Sequence, residues 1–469
     1  MAVQLMSTLE AGRRLSPLFS VCGTKRERGG GPCHTIDPGP GASSVHGRPC
    51  RPRPQGCVHE SPRLGRRRRV RPGDQRNGRV RRIVIVGGSL AGHHAAASLR
   101  QLGFAGDVVV VGAERHRPYD RFPLSKGFLT GQTSRPELDV AGEVPDVIWR
   151  LGARATAVDL SMRAVIVEDR ERIEFDGLVV ASGARPRDVG SVAQARGAFV
   201  LRTVEDAIRL RAALRGPACR VVVVGGGLIG AEIAATAVEH RHHTILVHTS
   251  DVPTGRALGH DVAKHLLELH RAAGIDVRPR TRVRDLKTSG GLVLGVTLND
   301  DTCLSADLVV MATGTRPNVE WLAGSGLRHA DGLDCRGTLH AVGNDRVVGA
   351  GDVVRAPHPL LGGESVRMEH WASTRQQAAR AAENLLAGPA SARPLTGLPE
   401  FGTTIHGARI RAVGFPQLAD RGRVVWGSFE DGAAVVRLYR GRTAVAAISV
   451  NAATVLPHWA PQVYVSPQL

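Results

Sequence analysis

Apolar residues along this chain gather in short unbroken runs. Residues 82–86 read RIVIV, 107–111 DVVVV, 220–224 RVVVV and 244–247 TILV. Such β-branched runs predict strands buried on both faces of a parallel sheet. After two of them the pattern changes at once. GGSLAG, Gly87 to Gly92, leads into HHAAASLRQLG, and GGGLIG, Gly225 to Gly230, leads into AEIAATAVEH. The Ala-rich stretches predict helices. Further apolar runs end in small residues and a turn: LVVASGARPR at 178–187, with Gly183, and LVVMATGTRPN at 308–318, with Gly314. VVGAGDV at 347–353 predicts a third buried strand leading into Asp352. From 395 to 469 apolar and polar residues alternate, as in GARIRAVGF and AAVVRLYR, which predicts an antiparallel sheet.

A strand, a glycine turn and a helix form a cradle for the pyrophosphate of a dinucleotide. In the first unit Gly87 allows the tight turn and Ser89 sits where backbone approaches the phosphates. Gly92 lets the helix pack close to the strand. Glu114 follows the next strand, 22 residues beyond Gly92, the place of an acid that accepts from a ribose hydroxyl. In the second unit Gly225, Gly227 and Gly230 complete the GxGxxG pattern, and His248 fills the acid's place. One apolar strand and turn is ordinary; their order carries the assignment. Two such units some 140 residues apart imply two dinucleotides, and FAD with NAD(P) is the usual pairing.

Charge changes the picture only at one end. The formal net charge is +19, but residues 1–80 hold 16 Lys/Arg against 5 Asp/Glu. That Arg-, Gly-, Pro- and Ser-rich leader lacks apolar periodicity and is expected to be disordered. It is further expected to be translated upstream sequence, with the functional chain beginning near Val80. Its run Arg66 to Arg69 reads as a solvated tail, so no nucleic-acid partner is expected. No apolar run approaches a membrane span, so no membrane association is expected. The seven cysteines form no CxxC pair or zinc spacing, which excludes those metal sites and fits a reducing cytoplasm.

The motifs in this order resemble the FAD-dependent pyridine nucleotide oxidoreductases. RPYDRFPLSKGFLTG at 117–131, WLAGSGL at 321–327 and the stretch 351–386 narrow the likeness to the ferredoxin reductase branch. The resemblance implies an α/β fold: two Rossmann-like FAD- and NAD(P)-binding domains plus a small α+β C-terminal interface domain. It implies an FAD domain split over 81–200 and 319–394, an NAD(P) domain at 201–318, and the interface domain at 395–469. Several FAD contacts carry over by position: Ala91 at the pyrophosphate turn, Glu114 at the ribose, Arg121 and Lys126 near the flavin. Ala155 falls at the adenine side, Arg202 is a further contact, Asp352 holds the ribityl chain and Trp371 borders the ring. Glu232 stands where the family places a carboxylate beside the nicotinamide.

The activity implied is transfer of electrons from NAD(P)H through the flavin to a ferredoxin-type iron–sulfur protein. The basic body favours an acidic partner through steering. Disulfide reductases need a redox cysteine over the flavin, and none lies between Cys57 and Cys219, so that class is excluded. Three positions depart from the family: Phe122 replaces a proline, His248 replaces an acid, and Gly402 stands where an aromatic is expected. The last two keep open a flavoprotein with a different or lost acceptor, acting by binding rather than turnover.

Because a disordered leader contributes no core, deleting residues 1–79 leaves flavin content and diaphorase activity intact. A truncated chain that fails to fold, by circular dichroism, refutes this reading of the leader.

Overall fold

A strand that is apolar on both faces is satisfied only inside a layered domain, and the β-branched runs meet accordingly. A computed structural model describes residues 80–140, 142–187, 195–369 and 371–461. Apart from Val80, the basic leader expected over residues 1–80 lies outside these. Five parallel strands form a first sheet in the order Val347–Gly349, Gly177–Val180, Arg82–Val86, Asp107–Gly112, Val147–Leu151. Its centre is dry: Ile83, Val84, Ile85, Leu178 and Val179 have no exposed surface. The helices Leu90–Gln101 and Trp371–Ala387 pack on each other beside it. The run at 347–353 is a strand only as far as Gly349; the rest turns through Gly351 at φ +82°.

A second parallel sheet runs Asp276–Arg278, His243–Val247, Arg220–Val224, Leu308–Met311, Ala198–Val200. Ala198–Val200 joins this sheet, so its strands begin just ahead of residue 201. The helix Val204–Leu214 starts where Thr203 and Asp206 cap each other reciprocally. Chain segments cross between the sheets at two turns, and there Ala184–Pro186 pairs antiparallel with Thr315–Pro317.

The C-terminal strands Glu400–Ile405, Ala408–Gly414, Arg421–Ser428, Ala433–Arg440 and Thr443–Val450 form one antiparallel sheet. Helical structure among its described residues is confined to short 3-10 turns. It packs on the helix Gly255–Ala272, whose Leu258, Val262 and Leu266 meet Ile405, Ile410, Val436, Leu438 and Ile448. Each such side chain buried contributes roughly 1.5–3 kcal/mol. Gly259, at φ +69°, kinks that helix where a Cβ would come 2.8 Å from Leu438 Cδ2. No helix among the described residues is long and apolar enough to cross a membrane.

Candidate functional site

Both glycine turns sit at the C-terminal ends of central strands, where open α/β sheets bind ligands. A Cβ on Gly87 would lie 1.9 Å from Ala181 O, and one on Gly92 would lie 1.8 Å from Gly87 O. The second turn repeats the arrangement: a Cβ on Gly225 would lie 2.2 Å from Ala312 O, and one on Gly230 would lie 1.9 Å from Gly225 O. No side chain fits at these four places. The N-caps Ser89 and Gly227 both have extended backbone, and neither provides a side-chain cap. Each helix therefore offers uncapped N–H groups to an anion. Gly227 also opens onto free space.

Around the first turn, Ala91 lies against Gly351, so the glycine turn and the segment before Asp352 close on each other. Glu114 accepts from the Tyr119 hydroxyl at 2.6 Å and pairs with Arg121. Arg121 donates to the Arg202 carbonyl at 3.1 Å, and Arg202 pairs with Asp352 at 2.8 Å. Residues at 114, 121, 202 and 352 thus form one polar chain. Arg121 Nε and Arg202 Nε are buried without a partner in it, donors suited to an anionic dinucleotide. A Cβ on Gly183 would lie 3.8 Å from Arg202 Nη2, and Gly314 lies opposite Arg187, whose backbone N–H donates to the Gly314 carbonyl. Ala155 is half-buried two residues after Ala153, whose N–H donates to Gly112 O. Trp371 opens its helix, and its side chain lies outside the described residues.

On the helix that follows the second turn a carboxylate is buried. Glu232, 5% exposed on the helix Leu228–Glu239, pairs with Lys126 Nζ at 2.9 Å. It also accepts from the hydroxyls of Ser125 and Thr403. The sequence marked Lys126 and Glu232 separately; only the fold shows them as a pair. Ser125, Thr403 and Tyr119 were not singled out, and no local pattern distinguishes them. The Tyr119 hydroxyl also accepts from Val204 N at 3.0 Å, and burial raises the phenol pKa. Glu369 was likewise missed: burial raises its pKa beside Arg367, and Thr315 donates to it at 3.3 Å.

His248 is 3% exposed beneath Gly226, with Nδ1 3.1 Å from Ser250 Oγ and Nε2 buried without a partner. Burial lowers its pKa below the ordinary imidazole value, so it is neutral at pH 7. Asp251 accepts from Arg280 Nε at 2.6 Å in an exposed ion pair. Arg256 is exposed on a cavity of about 320 Å³ that Ser250, His260 and Arg421 also line. At Gly402 a Cβ would come 2.9 Å from Arg411 Cδ, so a cation fills the space of the expected aromatic.

Two uncapped glycine cradles in one chain define a flavoprotein that holds two dinucleotides. The chain belongs to the pyridine nucleotide-disulphide oxidoreductase family, whose model matches residues 81–378. It is 33% identical to putidaredoxin reductase CamA of Pseudomonas putida, over 64% of this chain and 73% of that protein. The ferredoxin–NAD(+) reductase component of the p-cumate 2,3-dioxygenase system of Pseudomonas putida is 32% identical, over 66% of this chain and 75% of its own. The solved covalent putidaredoxin reductase–putidaredoxin complex matches at TM-score 0.75 and 30% identity, over 81% of this chain and 91% of that one. The chain is accordingly an oxidoreductase that uses FAD and NAD(P)H.

Two outcomes test the places expected of Glu114 and His248. Glu114→Ala releases Arg121 and Tyr119 and weakens FAD retention about tenfold or more, the loss of one charge-assisted bond. Wild-type FAD affinity in the mutant, measured by fluorescence titration of the apoprotein, contradicts that placement. At the second turn a neutral His248 repels no 2′-phosphate, so kcat/KM for NADPH falls within about tenfold of that for NADH. His248→Glu shifts the preference toward NADH. A wild-type NADH preference above about a hundredfold overturns the reading of His248.

Proposed function

We propose that this enzyme passes electrons from NAD(P)H to a small acidic ferredoxin-type iron–sulfur protein, by way of FAD. The observation that carries the reading is the pairing of Lys126, from the segment after the first cradle, with the buried Glu232 on the helix of the second, with no cysteine in the segment that follows Glu114. A disulfide reductase requires a thiol there; a lysine instead offers a fixed positive charge that favours a reduced, anionic flavin. FAD supplies the conversion of a two-electron hydride into single electrons.

In this reading Gly87, Ser89, Ala91 and Gly92 hold the FAD pyrophosphate, Glu114 the ribose, and Asp352 the ribityl chain. Ala155 lies at the adenine side; Arg121, Arg202, Gly183 and Trp371 complete the flavin's surroundings. Gly225, Gly227, Gly230, His248 and Gly314 serve the nicotinamide cofactor, with Glu232 beside its reacting end. The domains proposed are 81–200 with 319–394 for FAD, 201–318 for NAD(P), and 395–469 for the acceptor.

The relatives named as ferredoxin reductases support the acceptor class, as does the exposed guanidinium of Arg411 beside Gly402. The free thiols Cys219, Cys303 and Cys335 accord with a cytoplasmic location. Anaerobic NAD(P)H bleaches the flavin, and added ferricyanide or a [2Fe–2S] ferredoxin restores its colour with turnover. A flavin that NADH and NADPH both leave oxidised marks a binding protein instead.

Lys126→Met lowers the flavin midpoint potential and slows its reduction by NAD(P)H, with about one FAD per chain retained. An unaltered potential puts this lysine away from the flavin's reacting edge.

A further inference from the structure

We propose that Thr403, on the C-terminal sheet, is a positioning residue: together with Ser125 it fixes the Glu232 carboxylate, which fixes Lys126. The proposal rests on the reading of Lys126 as the flavin-side cation. Three segments far apart in sequence converge on this one side chain. Ser125 ends the 3-10 turn Phe122–Ser125, Glu232 lies in the first turns of the helix Leu228–Glu239, and Thr403 lies in the strand Glu400–Ile405. Ser125 donates to Oε2, while Thr403 at 2.5 Å and Lys126 at 2.9 Å share Oε1. Ser125, Glu232 and Thr403 are all buried, at 6%, 5% and 4% exposure.

The two hydroxyls do different work from the lysine. A buried carboxylate with one partner can turn to follow it; one held at both oxygens cannot. Lys126 has somewhere else to go. Its Nζ also lies 3.3 Å from Phe122 O and 3.9 Å from the centre of the Phe122 ring, whose side chain is exposed. The ammonium is therefore poised between a fixed anion inward and neutral partners outward. Loosening the anion lets Nζ drift toward Phe122. Thr403 can exert this hold because strand alternation turns it inward with Ile405, whose side chain is buried against the helices of the second sheet. Through one hydroxyl, the seating of the C-terminal sheet on the helix Leu228–Glu239 is coupled to the charge beside the flavin.

The test is a double-mutant cycle read by spectroelectrochemical titration of the flavin, with stopped-flow reduction alongside. Thr403→Val keeps about one FAD per chain and moves the midpoint potential in the same direction as Lys126→Met. It also slows flavin reduction by about tenfold, the cost of one hydrogen bond to a charge. Thr403→Ser restores both. Added to Lys126→Met, Thr403→Val changes the potential no further. A wild-type potential in Thr403→Val, while Lys126→Met lowers it, overturns the proposal and spares the assignment of Lys126. A wild-type potential in Lys126→Met itself fells that assignment and the proposal with it. If the valine variant loses flavin, Ser125→Ala applies the same cycle from the opposite oxygen, and a wild-type potential there overturns the proposal equally.

Discussion

Burying a carboxylate is costly unless its oxygens keep partners, and removing one partner of a buried pair costs about 3–5 kcal/mol. Glu232 meets that condition only because three parts of the chain are in place at once. Lys126 and Ser125 come from the segment after the first cradle, the carboxylate from the helix of the second, and Thr403 from the C-terminal sheet. The single side chain thus depends on the relative seating of both sheets and the C-terminal strands. Its demand for partners helps enforce that seating.

The same logic extends to the polar chain beside the first turn. Glu114 pairs with Arg121 and Arg202 with Asp352, and Arg121 joins the two pairs by donating to the Arg202 backbone carbonyl, so no member is left alone in a partly buried place. The chain joins the loop after the second strand to the residues at the start of the second sheet, and then to the turn after Gly349. The donors it leaves unused, Arg121 Nε and Arg202 Nε, are those a negatively charged cofactor can take. At the second cradle the polarity is reversed in kind. Burial strips His248 of charge, and the nearest acid of this loop, Asp251, faces solvent in an ion pair with Arg280.

What the sequence by itself determined is local. Runs such as RIVIV and RVVVV are buried strands because nothing but a two-sided core satisfies them, and both formed where expected. The glycines after them were legible because the turn forbids a Cβ: Gly87 and Gly225 meet carbonyl oxygens at distances no side chain permits. Where the local pattern thinned, so did the reading. The run into Asp352 was read as a strand to residue 353, but Gly351 adopts a positive φ and ends it early.

The tertiary structure alone decided the partnerships. Thr403 lies 171 residues from Glu232, and Ser125 lies 107 from it; no periodicity links positions so distant. It decided that His248 is buried and neutral, since exposure depends on Gly226 above it and not on its neighbours in sequence. It also decided that Arg411 fills the space beside Gly402, because cross-strand register sets which side chain covers a glycine. A hydrophobic period is written in consecutive residues, whereas a buried charge draws its partners from wherever the chain returns.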